Sequence, residues 1–225
     1  MRESSKTNAV RGKDFFDRYL SGKVIDIGCA EDPVCPAAER FDIADGDAND
    51  IAAFRPQLAY DTVYSSHCLE HMHDVRSALR GWWALVKAGG HMIVVVPHED
   101  LYEQGFWPSI FNLDHKASFR LGGETSWSPV SYDIRKLMEE LPDAMVLSSQ
   151  KQDQGYDYRL MGRGRGDKPL LRKFVFQFTR MINRLGPLGL AISHKVNLFL
   201  FWLGCPVDQT MGNALAQIEV IVRKN

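Results

Sequence analysis

Cysteine is scarce in this chain and its spacing suits no metal scaffold. The four cysteines, Cys29, Cys35, Cys68 and Cys205, form no CxxC pair, and the seven histidines show no zinc-finger spacing. No metal is therefore expected. Excess charge is missing too: 27 basic against 28 acidic residues leave a net charge of -1. That balance exerts no global pull on nucleic acid, so any basic surface has to be local. Long apolar runs are absent. The longest, residues 196–203, falls far short of the roughly 20 residues of a spanning helix. The N-terminus, with Arg2, Glu3, Lys6, Arg11 and Lys13, lacks the apolar core of a secretory leader, which makes a cytoplasmic location the expectation. No internal repeat or low-complexity tract is visible. With 45% hydrophobic and 24% charged residues over 225 positions, the composition is that of one ordinary globular domain.

What is present begins with Val24-Ile25-Asp26-Ile27-Gly28-Cys29-Ala30, an apolar run carrying an acid and breaking into small residues. A buried strand that ends in a tight glycine turn lets backbone N–H groups approach a ligand closely. Downstream follow Phe41-Asp42, Gly46-Asp47-Ala48 and Tyr60-Asp61-Thr62-Val63-Tyr64-Ser65-Ser66. An acid at the tip of the next strand can hold two ribose hydroxyls, as in nucleotide-binding α/β sheets. The order predicts a cleft for an adenosine-containing cofactor.

Along the chain, residues 14–20 form a short leading helix closed by Ser21-Gly22, and residues 23–27 a strand buried on both faces. A brief strand ends at Asp42, and residues 62–65 form another. The clearest helix carries Val75, Ala78, Leu79, Trp82, Trp83 and Val86 on one stripe, with Asp74 at its start and Lys87, Gly89 and Gly90 at its close. His91 to Val96 reads as a central strand stopped by Pro97. Ile134, Leu137, Met138 and Leu141 mark a second helix ended by Pro142. Residues 145–148 and 218–222 are strands that finish the sheet. Strands alternating with helices predict a doubly wound α/β fold with the ligand at the carboxyl ends of the strands. Residues 155–205 do not fit this alternation and are an insertion between the last two strands.

These residues resemble the class I S-adenosylmethionine-dependent methyltransferases, particularly the type 11 methyltransferase domain. The resemblance runs from Val24 to Pro97. Gly28-Cys29-Ala30 stands where the family has Gly-x-Gly. Gly46-Asp47-Ala48 with Phe54 matches its Gly-Asp-Ala element and downstream Leu-Pro-Phe. Ser66-His67-Cys68-Leu69-Glu70-His71 matches the SHxLEH box, and Leu85-Val86-Lys87-Ala88-Gly89-Gly90 matches LKPGG. One glycine turn is weak evidence; four elements in order are strong. The resemblance implies an α/β, Rossmann-like, doubly wound sheet of seven mostly parallel strands, with an antiparallel last strand and a helical insertion before it. It also implies S-adenosylmethionine as cofactor and S-adenosylhomocysteine as product. The cofactor would be bound by Asp26, Gly28, Cys29, Ala30, Asp42, Ile43, Asp47, Ala48, Ser66 and His67. In this scheme Asp26 orients the turn and the amino group, Asp42 takes both ribose hydroxyls, Ile43 lies on the adenine, and Asp47 with Ala48 reads the adenine edge. Ser66 and His67 stand near the sulfonium. Two departures matter. Ala30 replaces the second glycine, and only five residues lead from Asp42 to Asp47, where the family fits a helix and a strand. A deletion is the favoured reading, with Asp45 and Asp50 as competing carboxylates.

Methyl transfer from a sulfonium is an in-line displacement, so the protein supplies mainly proximity and alignment. A general base is needed for a hydroxyl acceptor. The candidates are His67, His98 and His115, the last oriented by Asp114, with Lys116 available to a phosphate or carboxylate. Glu70 and His71 are read as bracing the Asp74 helix, Trp82 and Trp83 as core. The runs 97–105 and 114–116 are similar to a subgroup of bacterial methyltransferases that accompany cell-surface polysaccharide synthesis. The expected acceptor is thus a small molecule or saccharide precursor.

Within the insertion, residues 168–203 combine Lys168, Arg172, Lys173, Arg180, Arg184 and Lys195 with Phe174, Phe178, Met181, Ile182 and Leu185, which share one helical face. Such a helix serves as a lid over the cleft, the preferred reading, or as a peripheral contact on the inner face of a membrane. Arg163 and Arg165 offer a small basic patch, but nucleic acid is disfavoured. A nicotinamide oxidoreductase is set aside because Ala30 and Pro33 replace required glycines. The alternative to an enzyme is a catalytically silent protein of this fold that binds the cofactor or a partner.

Overall fold

A computed structural model describes residues 3–225 apart from 124, 163–165, 167, 183 and 185. Two helices, α1 (Glu3–Asn8) and α2 (Lys13–Tyr19), precede β1 (Val24–Ile27), β2 (Glu39–Phe41) and β3 (Tyr60–Ser66). Then come α3 (Val75–Ala84), β4 (Val86–Pro97), β5 (Ser118–Arg120), β6 (Ser131–Asp133), α4 (Ile134–Glu139) and β7 (Ala144–Gln152). The chain ends with α5 (Pro169–Ile182), α6 (Pro187–Trp202) and β8 (Gln217–Lys224).

The main sheet has the order β2-β1-β3-β4-β8-β7, and β5 and β6 form a separate parallel pair. β2, β1, β3 and β4 run parallel, and β8 is antiparallel to both of its neighbours. The parallel core and antiparallel last strand agree with expectation. Among the described residues the main sheet has six strands, which corrects the expected seven. Residues 42–59 contain no strand, only a short 3₁₀ segment, Ala48–Ala53, so the sheet stops at β2. The stretch between Asp42 and Asp47 is too short for a helix and a strand, as the deletion reading requires.

The reason for this order lies in burial. All four residues of β1 are buried, and Met92 to Val96 in β4 have no measurable exposure. Such strands need cover on both faces, which parallel sheets in α/β folds receive from helices. On one face α3 supplies Val75, Ala78, Leu79, Trp82 and Trp83 to the core. Each indole N–H finds a carbonyl, Trp82 that of Ala48 at 2.8 Å and Trp83 that of Pro142 at 2.9 Å. Asp74 caps α3 by accepting from the N–H groups of Arg76 and Ser77. The helix closes at Leu85 rather than at Lys87, because Val86 already pairs with Tyr60 of β3.

The insertion lies between β7 and β8, as expected, and is a pair of helices. α5 buries Val175, Thr179 and Ile182, and Val175 meets Leu200, Cys205 and Val207 in a small core. Of the apolar face read from the sequence, Ile182 points inward, whereas Phe174 is 69% and Met181 60% exposed. Arg163, Arg165 and Leu185 lie outside the described residues.

Candidate active site

The carboxyl ends of β1 and β3 open onto a cavity of about 210 Å³. Its floor is the turn Gly28-Cys29-Ala30 together with Ser66 and His67 at the end of β3. Gly28 has φ +77°, and a Cβ there would lie 2.6 Å from the Cys68 side chain. This turn therefore demands glycine both for conformation and for space. Ala30, the departure from a second glycine, nevertheless adopts φ +46°, and His67 adopts φ +54°. Non-glycine residues in this region carry strain, which concentrates at functional sites.

Asp26 is fully buried behind the turn. Its Oδ2 accepts from the Val34 N–H at 2.6 Å, and its Oδ1 has no hydrogen-bond partner. Burial is the main reason its pKa is pushed up to about 7. Through Val34 it ties down the segment that follows the turn. Asp42 follows β2 and accepts from Ala30 N at 2.6 Å and from Ile43 N at 2.8 Å, one donor per oxygen. A carboxylate oxygen offers two acceptor positions, so each retains one. Ile43 beside it is 91% exposed. Asp47 caps the 3₁₀ segment through Oδ1, accepting from the backbone and side-chain N–H groups of Asn49, which hold its pKa below the usual carboxylate value. Asp42, Ile43, Asp47 and Ala48 thus sit along the open edge beside β2 and do not line the cavity.

The opposite wall is made by Glu70, His71, Tyr102, Asn112 and His115. The loop before β5 is stitched to the 3₁₀ turn Leu69–His71, because Lys116 N and Ala117 N both donate to the Glu70 carbonyl, at 2.7 and 3.2 Å. That stitching sets His115 against His71, ring centroids 5.0 Å apart, and Tyr102 stacks on His115 at 5.2 Å. His115 Nδ1 contacts Glu103 Oε1 at 2.7 Å. The predicted orienting partner, Asp114, is corrected to Glu103: Asp114 instead pairs with His71 Nδ1 at 2.9 Å and with Lys116. Lys116 is engaged as well, donating to the carbonyl of His71 at 3.0 Å.

Glu70 is 1% exposed, and neither of its oxygens receives a hydrogen bond. The reading of Glu70 and His71 as helix braces is also corrected, since Asp74 fills that role and both residues face the cavity. His67 Nδ1 lies 3.5 Å from Glu70 Oε1, and its Nε2 donates to Gln217 at 2.9 Å. Burial opposes protonation of His67, but Glu70 and Glu3 outweigh it and hold the pKa up to about 9. For Glu70 burial works upward, and the neighbouring histidines more than offset it, leaving the carboxyl below its usual range.

The structure therefore brings Gly28, Cys29, Ala30, Ser66, His67 and His115 into one cavity. His98 is elsewhere: its Nδ1 accepts from Asp100 N and caps the π-helical turn Glu99–Glu103. Residues that sequence reasoning missed are Glu3, Glu70, His71, Tyr102, Glu103, Asn112 and Thr210. Glu70 and His71 could have been found from His67-x-x-Glu70-His71, which places polar groups just past a strand tip. Glu103 acts across 12 positions of loop and has no local signal. Helix α1 closes the cavity, held by Ser5 N donating to Asp32 at 2.8 Å and Lys6 donating to the Thr210 carbonyl at 2.8 Å.

A second cavity of about 440 Å³ lies between α5 and α6 and the two loops that border the first. Phe111, Leu113, Asp208 and Met211 line it, and their neighbours Asn112 and Thr210 line the polar cavity. Among the described residues no helix is long and apolar enough to cross a membrane.

In comparisons with known proteins, residues 7–141 match a family described as a methyltransferase domain. A search of curated proteins finds no significant match. Among solved structures, a SAM-dependent methyltransferase from Archaeoglobus fulgidus aligns over 100% of this chain and 95% of its own, at 14% identity and TM-score 0.50. The YcgJ protein from Bacillus subtilis aligns over 92% of this chain and 94% of its own, at 12% identity and TM-score 0.46. At these identities the likeness to the Archaeoglobus structure speaks for the fold.

Proposed function

Because the chain belongs to the methyltransferase domain family and is an S-adenosylmethionine-dependent enzyme, we propose that it methylates a polar group of a saccharide-type acceptor held between the Gly28 turn and His115. The cofactor supplies an activated methyl group. The protein fits it in three ways. The Gly28 cradle is one that a Cβ would fill. The Asp42 carboxylate keeps an accepting position on each oxygen, suited to two ribose hydroxyls. Asp26 Oδ1 and Ser66 Oγ are buried polar atoms without partners at the same strand tips.

The observation that carries the acceptor assignment is the wall facing the turn. His67, Glu70, His71 and His115 together with Asn112 present polar atoms to a small cavity. His115 is held in one tautomer by Glu103, which leaves Nε2 toward the cavity to act on the acceptor. The adjacent larger cavity, bordered by the same two loops, suits an apolar portion of the acceptor, such as a lipid anchor.

The outward face of the helical pair supports peripheral contact with an anionic membrane more than a lid. Leu170, Phe174, Met181, Leu188, Phe199 and Trp202 are all more than half exposed. Residues 168–203 contain six lysines and arginines and no acid. Apolar and cationic side chains together are what an anionic lipid surface attracts.

Calorimetric titration with S-adenosylmethionine tests the cofactor placement. Wild type binds, and Asp42→Ala weakens binding by roughly tenfold or more, as expected for loss of a charge-assisted contact of about 1.5–3 kcal/mol. Unchanged affinity in Asp42→Ala would remove Asp42 from the ribose site.

A further inference from the structure

We propose that Glu70, His71 and His115 form a binding site for a divalent transition-metal ion, which holds the acceptor hydroxyl beside the methyl donor. The inference rests on the methyltransferase reading and deepens it. It makes the acceptor atom an oxygen and changes His115 from proton acceptor to metal ligand. No metal was expected from the sequence, because these residues do not follow any zinc-finger spacing.

Three observations converge. One donor atom from each of Glu70, His71 and His115 lies within 4.8 Å of the other two, which is the span of ligands around a single ion. Both imidazoles have Nδ1 against a carboxylate, His115 with Glu103 at 2.7 Å and His71 with Asp114 at 2.9 Å. Each carboxylate fixes the Nδ1–H tautomer and leaves the Nε2 lone pair for an ion, the arrangement that supports metal-ligating histidines. His115 Nε2 faces Glu70 Oε1 at 3.9 Å, too long for a hydrogen bond and suited to two ligands sharing a cation.

The third observation is Glu70 itself. It is 1% exposed, lines the cavity, and has no hydrogen bond to either oxygen. Burying a carboxylate without partners is costly unless a cation or metal meets it. His67 at 3.5 Å offers partial compensation on Oε1; Oε2 is left unanswered.

Two imidazoles and one carboxylate form a set suited to first-row ions such as Mn²⁺ or Zn²⁺, with positions left open for other ligands. A hydroxyl bound at an open position becomes more acidic. Its O–H bond breaks and the proton passes to water; the oxygen's electron pair forms the new O–C bond to the methyl group as the methyl–sulfur bond breaks, and S-adenosylhomocysteine leaves with that bond's electrons. This role needs an oxygen acceptor such as a sugar hydroxyl.

The test is Mn²⁺ binding to chelator-treated protein, followed by electron paramagnetic resonance and calorimetry, with Zn²⁺ as competitor. Wild type is expected to take up one Mn²⁺ per chain, displaced by Zn²⁺. Glu70→Gln and His115→Asn are each expected to weaken it by more than about tenfold; exposed His73→Ala leaves it unchanged. His71→Asn serves as a further ligand variant should Glu70→Gln not fold. S-adenosylmethionine affinity, measured on every variant, reports folding and tests the parent reading separately. Retained cofactor binding with no Mn²⁺ or Zn²⁺ uptake by wild type, or uptake indifferent to the ligand variants, overturns the metal site and leaves the methyltransferase standing.

Discussion

Replacing Asp26 by asparagine is expected to stabilise the protein at alkaline pH and to do little in acid. Asp26 has no exposed surface, one oxygen bonded to Val34 N and one with no partner. Its pKa rises from 3.8 to about 7, chiefly by burial, with Asp32 and Asp42 adding to the rise while Arg11 and the Val34 N–H oppose it. The folded protein therefore holds the proton more tightly than the unfolded chain. Stability contributed by the protonated acid is complete below about pH 4 and is lost as pH climbs to about 7, after which it levels. A rise of that size corresponds to about 4 kcal/mol. For a chain of this size each kcal/mol moves Tm by about 2–4 °C, so the alkaline difference between the Asp26→Asn variant and wild type is of order 10 °C. The asparagine side chain keeps an oxygen for Val34 N, so the turn survives. Thermal unfolding of both proteins from pH 5 to pH 8 measures it, and the difference between them cancels other titrating groups. Parallel Tm profiles, with no divergence as pH rises, would refute the assignment of a strained buried acid to Asp26.

Two further outcomes follow from geometry. Gly28→Ala puts a Cβ 2.6 Å from Cys68 at φ +77°; left-handed strain of roughly 1–2 kcal/mol and overpacking of about 1–3 kcal/mol predict a loss of about 2–5 kcal/mol in denaturant unfolding. Phe174→Ser with Trp202→Ser removes two side chains that are 69% and 78% exposed, so stability should hold while co-sedimentation with anionic vesicles drops. Wild type that ignores such vesicles at low salt ends the membrane proposal.

Local chemistry explains why the first strand, its glycine turn and the clearest helix were legible. A strand-turn signal such as Ile25 to Ala30 is written in consecutive residues, because strand burial and a left-handed glycine depend on near neighbours. The short link from Asp42 to Asp47 likewise pointed to a missing strand, and the sheet ends at β2. The helical stripe of α3 and its Asp74 cap were readable for the same reason. The wall of the cavity opposite the turn was not. Glu103 orients His115 in place of the adjacent Asp114, since a π-helical turn and a loop fold back on each other. α5 turns Val175 and Thr179 inward, not Phe174, because its inner face is chosen by α6 and by the loop at Val207.

The sequence by itself determined the parallel core, the glycine turn and the acids behind and beside it, all set by residues within a few positions of one another. Only the tertiary structure decided that Glu70, His71 and His115 meet. Their meeting depends on backbone bonds from Lys116 and Ala117 to the Glu70 carbonyl, contacts between segments far apart in the chain that no local pattern encodes.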